Sequence, residues 1–326
     1  MIATNLYDAS PINPRRRATR HEMEDRARFY INYASIHGPV TVRQLYYRAV
    51  VEGITGIDKT ENGYTRVQRQ VLNLRRDGRL PYHHIADASR WMRKPRTWDS
   101  VADALRETAA TYRKALWRDQ GLSVEVWLEK NALAGVVYPV TELYDTPLMP
   151  TVGFTSETFA FEAVESAEPG IPYIVYALYD FDRSGQHAWR SLQEKLERFA
   201  AKRGIEASFR CLALAEPDID LNSFDPRESM VDVFLQGVGW RRLPTREPKR
   251  ISAADKAWPY PFAIELDAIE PDDLRNVVRW AMEQHMPAAQ LKILQAAEES
   301  ERELFAALVH QVRRERPGAL GPEAPR

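Results

Sequence analysis

Two apolar runs that end in acidic residues constrain the fold of this chain most. The first, VEVWLEK, ends at Glu129 and leads into an apolar helical pattern over residues 131–145. The second, IPYIVYALYDFDRSG, runs into Asp180 and Asp182 and leads into a second helical pattern. Strands that alternate with helices predict an α/β fold with a parallel sheet covered on both faces.

The carboxylates that follow these runs predict a metal site. Ligands of parallel α/β sheets gather at the carboxyl ends of the strands, where Glu129, Asp180 and Asp182 are all expected. Carboxylates that converge would repel one another unless a hard cation were bound, and Mg²⁺, or Mn²⁺ in its place, suits oxygen ligands. The DFDRSG turn also resembles an EF-hand calcium loop, but Ser191 stands where that loop requires glutamate. A solvated surface bend is the other interpretation of the two aspartates taken alone.

Charge is unevenly distributed along the chain. Residues 1–120 contain 22 Lys and Arg against 13 Asp and Glu, which gives +9; the remaining 23 and 33 give −10, and the sum is the net −1. A basic half suits the phosphate backbone of a nucleic acid, whereas an acidic half that approaches nucleic acid needs divalent cations. Chance drift of charge is the alternative explanation.

The basic half has the pattern of a small helical DNA-binding unit. A first helix is predicted to stop at Gly38-Pro39, and Thr41 with Gln44 forms a capping box that opens a second helix. A third helix is predicted over residues 63–78. A short β-hairpin or wing, which contains His83 and His84, is predicted over residues 79–91.

Three helices and a wing predict a winged helix whose third helix enters the major groove of DNA. A three-helix bundle with a solvated arginine face is the alternative. The predicted DNA contacts are Arg66, Arg69, Arg75, Arg76 and Arg79.

Two adjacent tyrosines in the second helix are predicted to occupy different faces. Tyr46 belongs to an apolar stripe at helical spacing and is expected in the core. Tyr47 lies one turn after Arg43 on another face and is expected to point outward. A guanidinium and a phenol at this spacing can approach one phosphate as clamp and nucleophile, or can both serve only as phosphate contacts.

These motifs together resemble one protein family. The strand-terminal glutamate in WLEKNA, the DFDRSG turn and a preceding helix with VRQLYY are similar to the A subunit of topoisomerase VI, a type IIB topoisomerase. They are also similar to the related meiotic double-strand-break transesterase, and especially to short stand-alone bacterial and mobile-element relatives. The resemblance covers about residues 22–275, including GFTSE and IELDAIEPDDLR. It implies a winged-helix domain followed by a Toprim domain.

The resemblance also implies a site and a reaction. Tyr47 matches the family's nucleophile and Arg43 the arginine before it, while Glu129, Asp180 and Asp182 match the metal-binding carboxylates. The implied substrate is double-stranded DNA, which becomes linked to Tyr47 through a 5′ phosphate. A homodimer that shares its sites is implied, with a separate ATPase or regulatory subunit as a further partner. A hydrolytic Toprim nuclease and a non-enzymatic DNA-binding subunit are the alternative functions.

Cysteine content and apolar runs predict the location of the protein. Cys211 is the single cysteine, and the chain has neither an apolar run of membrane-spanning length nor the apolar core of a secretory signal, so we expect a cytoplasmic protein without membrane partners.

We expect no regular structure in residues 225–262. The expected divisions are a flexible basic tail (1–20), a winged-helix domain (21–98), a connecting helix (99–120), a Toprim domain (121–275), C-terminal helices (276–316) and a disordered tail (317–326).

Overall fold

The structure, a computed structural model, describes residues 18–86, 97–153, 155–248 and 258–315 and has a mixed α/β fold. Its helices are α1 (Arg20–His37), α2 (Val42–Val51), α3 (Glu61–Arg76), α4 (Val101–Thr111), α5 (Ala134–Leu143), α6 (Glu157–Ser166), α7 (Arg183–Arg203), α8 (Pro271–Glu283) and α9 (Ala288–Glu315). Its strands are β1 (Ser123–Leu128), β2 (Leu148–Pro150), β3 (Tyr173–Leu178), β4 (Ala207–Ala213), β5 (Ile219–Asp225), β6 (Met230–Leu235) and β7 (Gly239–Pro244).

Strands β1 to β4 form one parallel sheet in the order β2-β1-β3-β4, which confirms the predicted parallel sheet. The last residues of the two central strands lie side by side, because Leu128 pairs with Leu178. The residues that follow β1 and β3 therefore emerge together at one edge of the sheet. We call this edge the carboxyl edge.

Alternating side chains bury both faces of the parallel sheet. Val126 and Leu128 point into a core shared with α5 and α8. Trp127 and Val175 point into a second core shared with α6 and α7. Successive residues of a strand face opposite sides, so this alternation places helices on both faces, as expected for a parallel sheet.

Helices α1, α2 and α3 share a separate apolar core near the N-terminus. Helix α1 ends at the cap residue Gly38, as predicted. The capping box of α2 is also present: the Thr41 hydroxyl accepts from the Gln44 backbone N–H at 3.0 Å, and the Gln44 side chain accepts from the Thr41 N–H at 2.9 Å. The turn between α1 and α2 thus follows directly from local sequence.

The predicted β-hairpin after α3 is wrong in the part that the structure describes. Residues 82–84 form a 3₁₀ turn, and Ile85 makes only an isolated parallel bridge with Val40. The backbone N–H of Leu80 bonds back to the Leu74 carbonyl at 3.1 Å, which ties the chain to the end of α3. Pro81 follows and has no N–H for a strand ladder. Residues 87–91, the rest of the predicted wing, lie outside the described residues.

The expectation of an irregular segment over residues 225–262 is also wrong. Strands β5, β6 and β7 form an antiparallel sheet over residues 219–244. Val231, Val233 and Leu235 are buried at every second position of β6, which is the pattern of a half-buried strand. The sequence carried this signal over only three alternate positions, with Asp232 and the apolar Phe234 between them. Residues 249–257 lie outside the described residues.

The C-terminal region is helical, as predicted. Helix α8 packs on α5, and α9 packs along α4. Among the described residues, no helix is long and apolar enough to cross a membrane. The predicted tails lie largely outside the described residues, which begin at 18 and end at 315.

Candidate active site

Three carboxylates lie together at the carboxyl edge. Glu129 follows β1, and Asp180 and Asp182 follow β3; we call these three residues the carboxylate cluster. The Glu129 side chain accepts a hydrogen bond from the Asp180 backbone N–H at 2.9 Å. Burial, followed by the negative charges of Asp180 and Asp182, raises the pKa of Glu129 to about 7. The structure therefore brings the sequence-predicted carboxylates within electrostatic reach of one another.

Each aspartate of the cluster accepts a hydrogen bond from a backbone N–H and forms an ion pair with a basic side chain. Asp180 accepts from the Leu266 N–H at 2.8 Å and pairs with Lys130 at 2.9 Å. Asp182 caps α7 by accepting from the Gly185 N–H at 2.7 Å, and it pairs with Arg246 at 2.5 Å. The backbone bonds fix the position of both side chains, and the cations neutralise them.

Gly185 has no side chain, and the carboxylate cluster lies in the space that a Cβ atom at this position would need. A Cβ atom at this position would lie 2.6 Å from the Asp180 carbonyl oxygen and 3.0 Å from a Glu129 carboxylate oxygen. The first distance is shorter than real Cβ contacts, and the atom concerned belongs to the backbone. The glycine of the DFDRSG turn is therefore required by the close approach of α7 to the ends of β1 and β3.

Sequence reasoning missed a basic and acidic network beside the cluster. Lys130 contacts Asp267 at 2.8 Å and Glu265 at 3.5 Å in addition to Asp180. Glu265 also pairs with Arg246 at 2.9 Å. The segment IELDA, residues 264–268, could have indicated this network. Its two acidic residues alternate with apolar ones, a pattern typical of a buried segment whose carboxylates are paired or functional.

Helix α2 contacts this network directly. Arg43 donates to a Glu265 carboxylate oxygen at 2.7 Å, and the Thr41 hydroxyl donates to Asp267 at 3.0 Å. Arg48, on the next turn, pairs with Glu270. These contacts hold the helix that carries the two tyrosines against the carboxyl edge of the same chain.

Tyr46 lies in the core, as predicted. Its side chain packs in the apolar core of α1 to α3 and its residue is 7% exposed. Its hydroxyl contacts the carbonyl oxygens of Asp58 and Thr60, each at 3.3 Å, and its ring meets Tyr64 edge-on.

The expectation that Tyr47 points outward is wrong, because Tyr47 is 6% exposed. Its ring packs in the same apolar core of α1 to α3 as Tyr46, with the two ring centroids 5.3 Å apart. On its other side, Tyr47 lines a narrow cleft with Asp267 and Ala268. Burial, followed by the charge of Glu265, raises the pKa of Tyr47, while Arg43 and Lys130 oppose this change. In this conformation the phenol is shielded from solvent, and its surroundings disfavour the phenolate.

The chemistry of the carboxylate cluster suits a hard divalent cation, although the cluster is not arranged around one. Among the described residues, no group of three or more His, Cys, Asp and Glu side chains is placed to hold a metal ion. Lys130 and Arg246 reach the two aspartates instead. Burial, followed by the like charges of Asp180 and Asp182, raises the pKa of Glu129, and a bound cation would relieve the repulsion among the three carboxylates. The residues therefore fit Mg²⁺ by donor type, provided that the basic side chains give way.

Comparisons with protein-family models, with curated proteins and with solved structures found no match. The function of this chain is therefore inferred from its own residues and from the motifs in its sequence.

The five arginines predicted to contact DNA differ in their surroundings. Arg79 pairs with Glu24 at 2.5 Å, Arg75 lies over the Tyr82 ring at 4.5 Å, and Arg66 donates to the Gly56 carbonyl at 2.9 Å. Arg69 and Arg76 are exposed, and neither makes an ion pair with another described residue. An open groove between α1 and α3 is lined by Arg66, Arg69, Asn62 and Asn73.

Proposed function

We propose that this chain is a metal-dependent, DNA-cleaving transesterase in which Tyr47 is the nucleophile. The observation that carries the proposal is the contact between Arg43 and Glu265, which brings the tyrosine helix to the carboxyl edge beside the carboxylate cluster. Parts that the sequence places in two distant halves of the chain thereby meet in space. Nucleophile, basic clamp and carboxylates are the parts that phosphoryl transfer by a tyrosine requires.

The proposed reaction exchanges one phosphoester bond for another. The Tyr47 oxygen attacks a DNA phosphorus and loses its proton, while the bond from phosphorus to the 3′ oxygen breaks and that oxygen gains a proton. The product is a 5′ phosphotyrosine and a free 3′ hydroxyl. Arg43 binds the phosphate and favours the phenolate. Mg²⁺, or Mn²⁺, held by Glu129 and the two aspartates would stabilise the charge that develops on the phosphate.

The described conformation corresponds to a closed state of the proposed enzyme. Tyr47 is 6% exposed, and its helix is joined to the carboxyl edge by Thr41, Arg43 and Arg48. DNA can reach the phenol only after α2 separates from residues 265–270. Within the proposal, DNA binding supplies the energy for this separation by contacts to the basic N-terminal half.

The finer domain assignments form part of the same proposal. Residues 21–98 would act as a winged-helix-like DNA-binding unit and residues 121–275 as a Toprim domain. Double-stranded DNA is the proposed substrate, and a two-fold homodimer is the proposed active form. A separate ATPase or regulatory subunit would be needed for strand passage but not for cleavage.

A hydrolytic nuclease is the second candidate, and the burial of Tyr47 favours it. In that reaction a water molecule near the carboxylate cluster would attack the phosphorus, so that no opening of α2 would be needed. The two candidates leave different products, because hydrolysis gives free DNA ends whereas transesterification leaves DNA bound to protein.

The test is to incubate end-labelled duplex DNA with the protein and Mg²⁺, denature the mixture and look for label attached to the protein. We expect a covalent adduct with wild type and with Tyr46→Phe, and none with Tyr47→Phe. Tyr46→Phe is the matched control because it removes the adjacent hydroxyl, which hydrogen-bonds to two backbone carbonyls.

The alternative outcomes separate the candidate functions. Free ends from both the wild type and Tyr47→Phe would establish the nuclease. DNA binding without cleavage in either Mg²⁺ or Mn²⁺ would favour a non-enzymatic subunit. An adduct that persists in Tyr47→Phe but disappears in Tyr46→Phe would transfer the nucleophile to the other tyrosine.

A further inference from the structure

Glu265 is a buried carboxylate on which three basic side chains converge. Arg43 and Lys130 approach one carboxylate oxygen at 2.7 and 3.5 Å, and Arg246 approaches the other at 2.9 Å. These bases come from α2, from the end of β1 and from the segment after β7. Three distant parts of the chain therefore surround one anion.

The three bases are more accessible to solvent than the carboxylate that they surround. The side chains of Arg43, Lys130 and Arg246 are 39%, 24% and 16% exposed, whereas that of Glu265 is 6% exposed. An anion arriving from solvent would therefore meet the bases before it met Glu265. Two guanidinium groups and one ammonium group are also the donors that phosphate oxygens prefer.

Without a bound metal ion, other contacts would keep two of the bases in place if Glu265 moved. Lys130 also pairs with Asp180 and Asp267, and Arg246 also pairs with Asp182. The backbone around Glu265 is independently fixed, since its carbonyl accepts from the Ala268 N–H at 2.9 Å. Rotation of the Glu265 side chain would thus release Arg43 and leave Lys130 and Arg246 in place, each still paired with an aspartate.

We propose that Arg43, Lys130 and Arg246 form the site at which a DNA phosphodiester first binds the closed chain, and that Glu265 occupies this site as a substitute anion when DNA is absent. This inference rests on the proposed DNA cleavage, since Arg43 lies one turn before Tyr47. Binding of the phosphate would displace the Glu265 carboxylate from Arg43. That exchange would release one of the contacts that hold α2 closed, beside those of Thr41 and Arg48, so DNA binding would favour exposure of Tyr47.

The test is DNA affinity without metal, where cleavage does not contribute. A fluorescein-labelled short duplex is titrated with protein in EDTA and followed by anisotropy. We expect Glu265→Gln, which keeps the side-chain size but removes the competing charge, to bind about tenfold more tightly than wild type. Adding Arg246→Gln should remove most of this gain because one of the three bases is then lost.

Glu270→Gln is the matched control. It also removes one negative charge and one ion pair between α2 and the carboxyl edge, namely that with Arg48, but it lies outside the proposed phosphate site. An equal gain in both single variants would show a general charge effect and overturn the proposal. Unchanged or weaker binding by folded Glu265→Gln would also overturn it, as would a gain that survives Arg246→Gln.

A second variant keeps the test decisive if Glu265→Gln does not fold. Glu265→Asp retains the charge but moves it away from Arg43 and Arg246. We therefore expect its DNA affinity to be higher than that of wild type but to fall short of the tenfold gain expected for Glu265→Gln. Binding no tighter than wild type would then reject the substitute-anion role. If the Glu265 variants bind DNA more tightly but wild type forms no covalent adduct with Mg²⁺, only the cleavage proposal is contradicted. If wild type forms the adduct but the variants bind no more tightly, only this inference is contradicted.

Discussion

The Glu129 side chain at the end of β1 accepts a hydrogen bond from the backbone N–H of Asp180 at the end of β3, at 2.9 Å. This bond joins the two central strands at the point where each stops. It is possible because Leu128 and Leu178 are paired, so that the strands end in register. The carboxylate cluster is thus a consequence of sheet register and of the residue that follows each strand.

The first prediction separates the two roles of Asp182, which caps α7 and belongs to the carboxylate cluster. Asp182→Asn should abolish cleavage and leave thermal stability nearly unchanged, since asparagine is also a good N-cap. Asp182→Ala should abolish cleavage and also lower the free energy of unfolding by about 1 kcal/mol, because the cap is lost. Urea denaturation and the adduct assay measure the two effects. Ser156→Ala, which removes the cap of α6, should cost similar stability but retain cleavage.

Retained cleavage in Asp182→Asn would exclude this carboxylate from the reaction. Unfolding of the asparagine variant would instead show that its ion pair with Arg246 is essential to the fold.

The second prediction concerns the space beside Gly185. Gly185→Ala places a Cβ atom 2.6 Å from the Asp180 carbonyl oxygen and 3.0 Å from Glu129, so α7 must shift away from the cluster. We expect loss of cleavage together with a loss of stability of about 1 to 3 kcal/mol from overpacking. Gly204→Ala at the other end of α7 is the control: with φ of +66° it also loses stability, but its Cβ atom meets nothing within 4 Å. A Gly185→Ala protein that cleaves like wild type would contradict the close packing.

The sequence predicted the parts of this site that local rules determine. Strand ends, the capping box at Thr41 and the core position of Tyr46 all depend on neighbouring residues. The cover over Tyr47 depends on Glu265 and Asp267, more than 200 residues away, so that no local pattern could indicate it. The same applies to Lys130 and Arg246, whose partners are set by tertiary packing.

The third prediction distinguishes among the arginines of the N-terminal half. Arg69→Ala and Arg76→Ala should each weaken duplex DNA binding and reduce the salt dependence by about one counterion, since both side chains are exposed and make no ion pair with a described residue. Arg79→Ala should change both much less, because its guanidinium is already paired with Glu24. Anisotropy titrations over a range of salt concentrations give affinity and slope together. Equal effects for all three variants would show that the Glu24 pair does not restrain Arg79.

The fourth prediction uses Lys59, whose side chain donates to the Ser229 carbonyl at 3.0 Å. Burial lowers the pKa of Lys59 from 10.5 to about 8. Between these two values the unfolded chain binds more protons at this position than the folded chain, so this residue's contribution to stability increases as pH rises from about 8. The difference in unfolding free energy between wild type and Lys59→Met should therefore shift in favour of wild type from pH 7 to pH 10. A difference that is independent of pH would show that Lys59 is solvated.

The last prediction concerns whether the residues of one active site come from a single chain or from two chains. Tyr47 lies near the carboxyl edge of its own chain in the closed state, whereas the resembled family implies a nucleophile that acts on the carboxylates of the partner. Two inactive variants can decide between these arrangements. Tyr47→Phe removes only the nucleophilic oxygen, and Glu129→Gln removes one carboxylate charge while keeping an acceptor for the Asp180 N–H.

Mixing the two variants gives opposite results for the two arrangements. If sites are shared, a mixed dimer has one site with both defects and one site with neither, so single-strand cleavage and a covalent adduct should return. If each chain works alone, every site keeps one defect and the mixture stays inactive. Because opening of α2 is required before Tyr47 can act, we expect the shared arrangement and recovery of up to half of the sites in mixed dimers. Differently tagged subunits establish exchange independently, and an inactive mixture with proven exchange would place the reaction within the single chain.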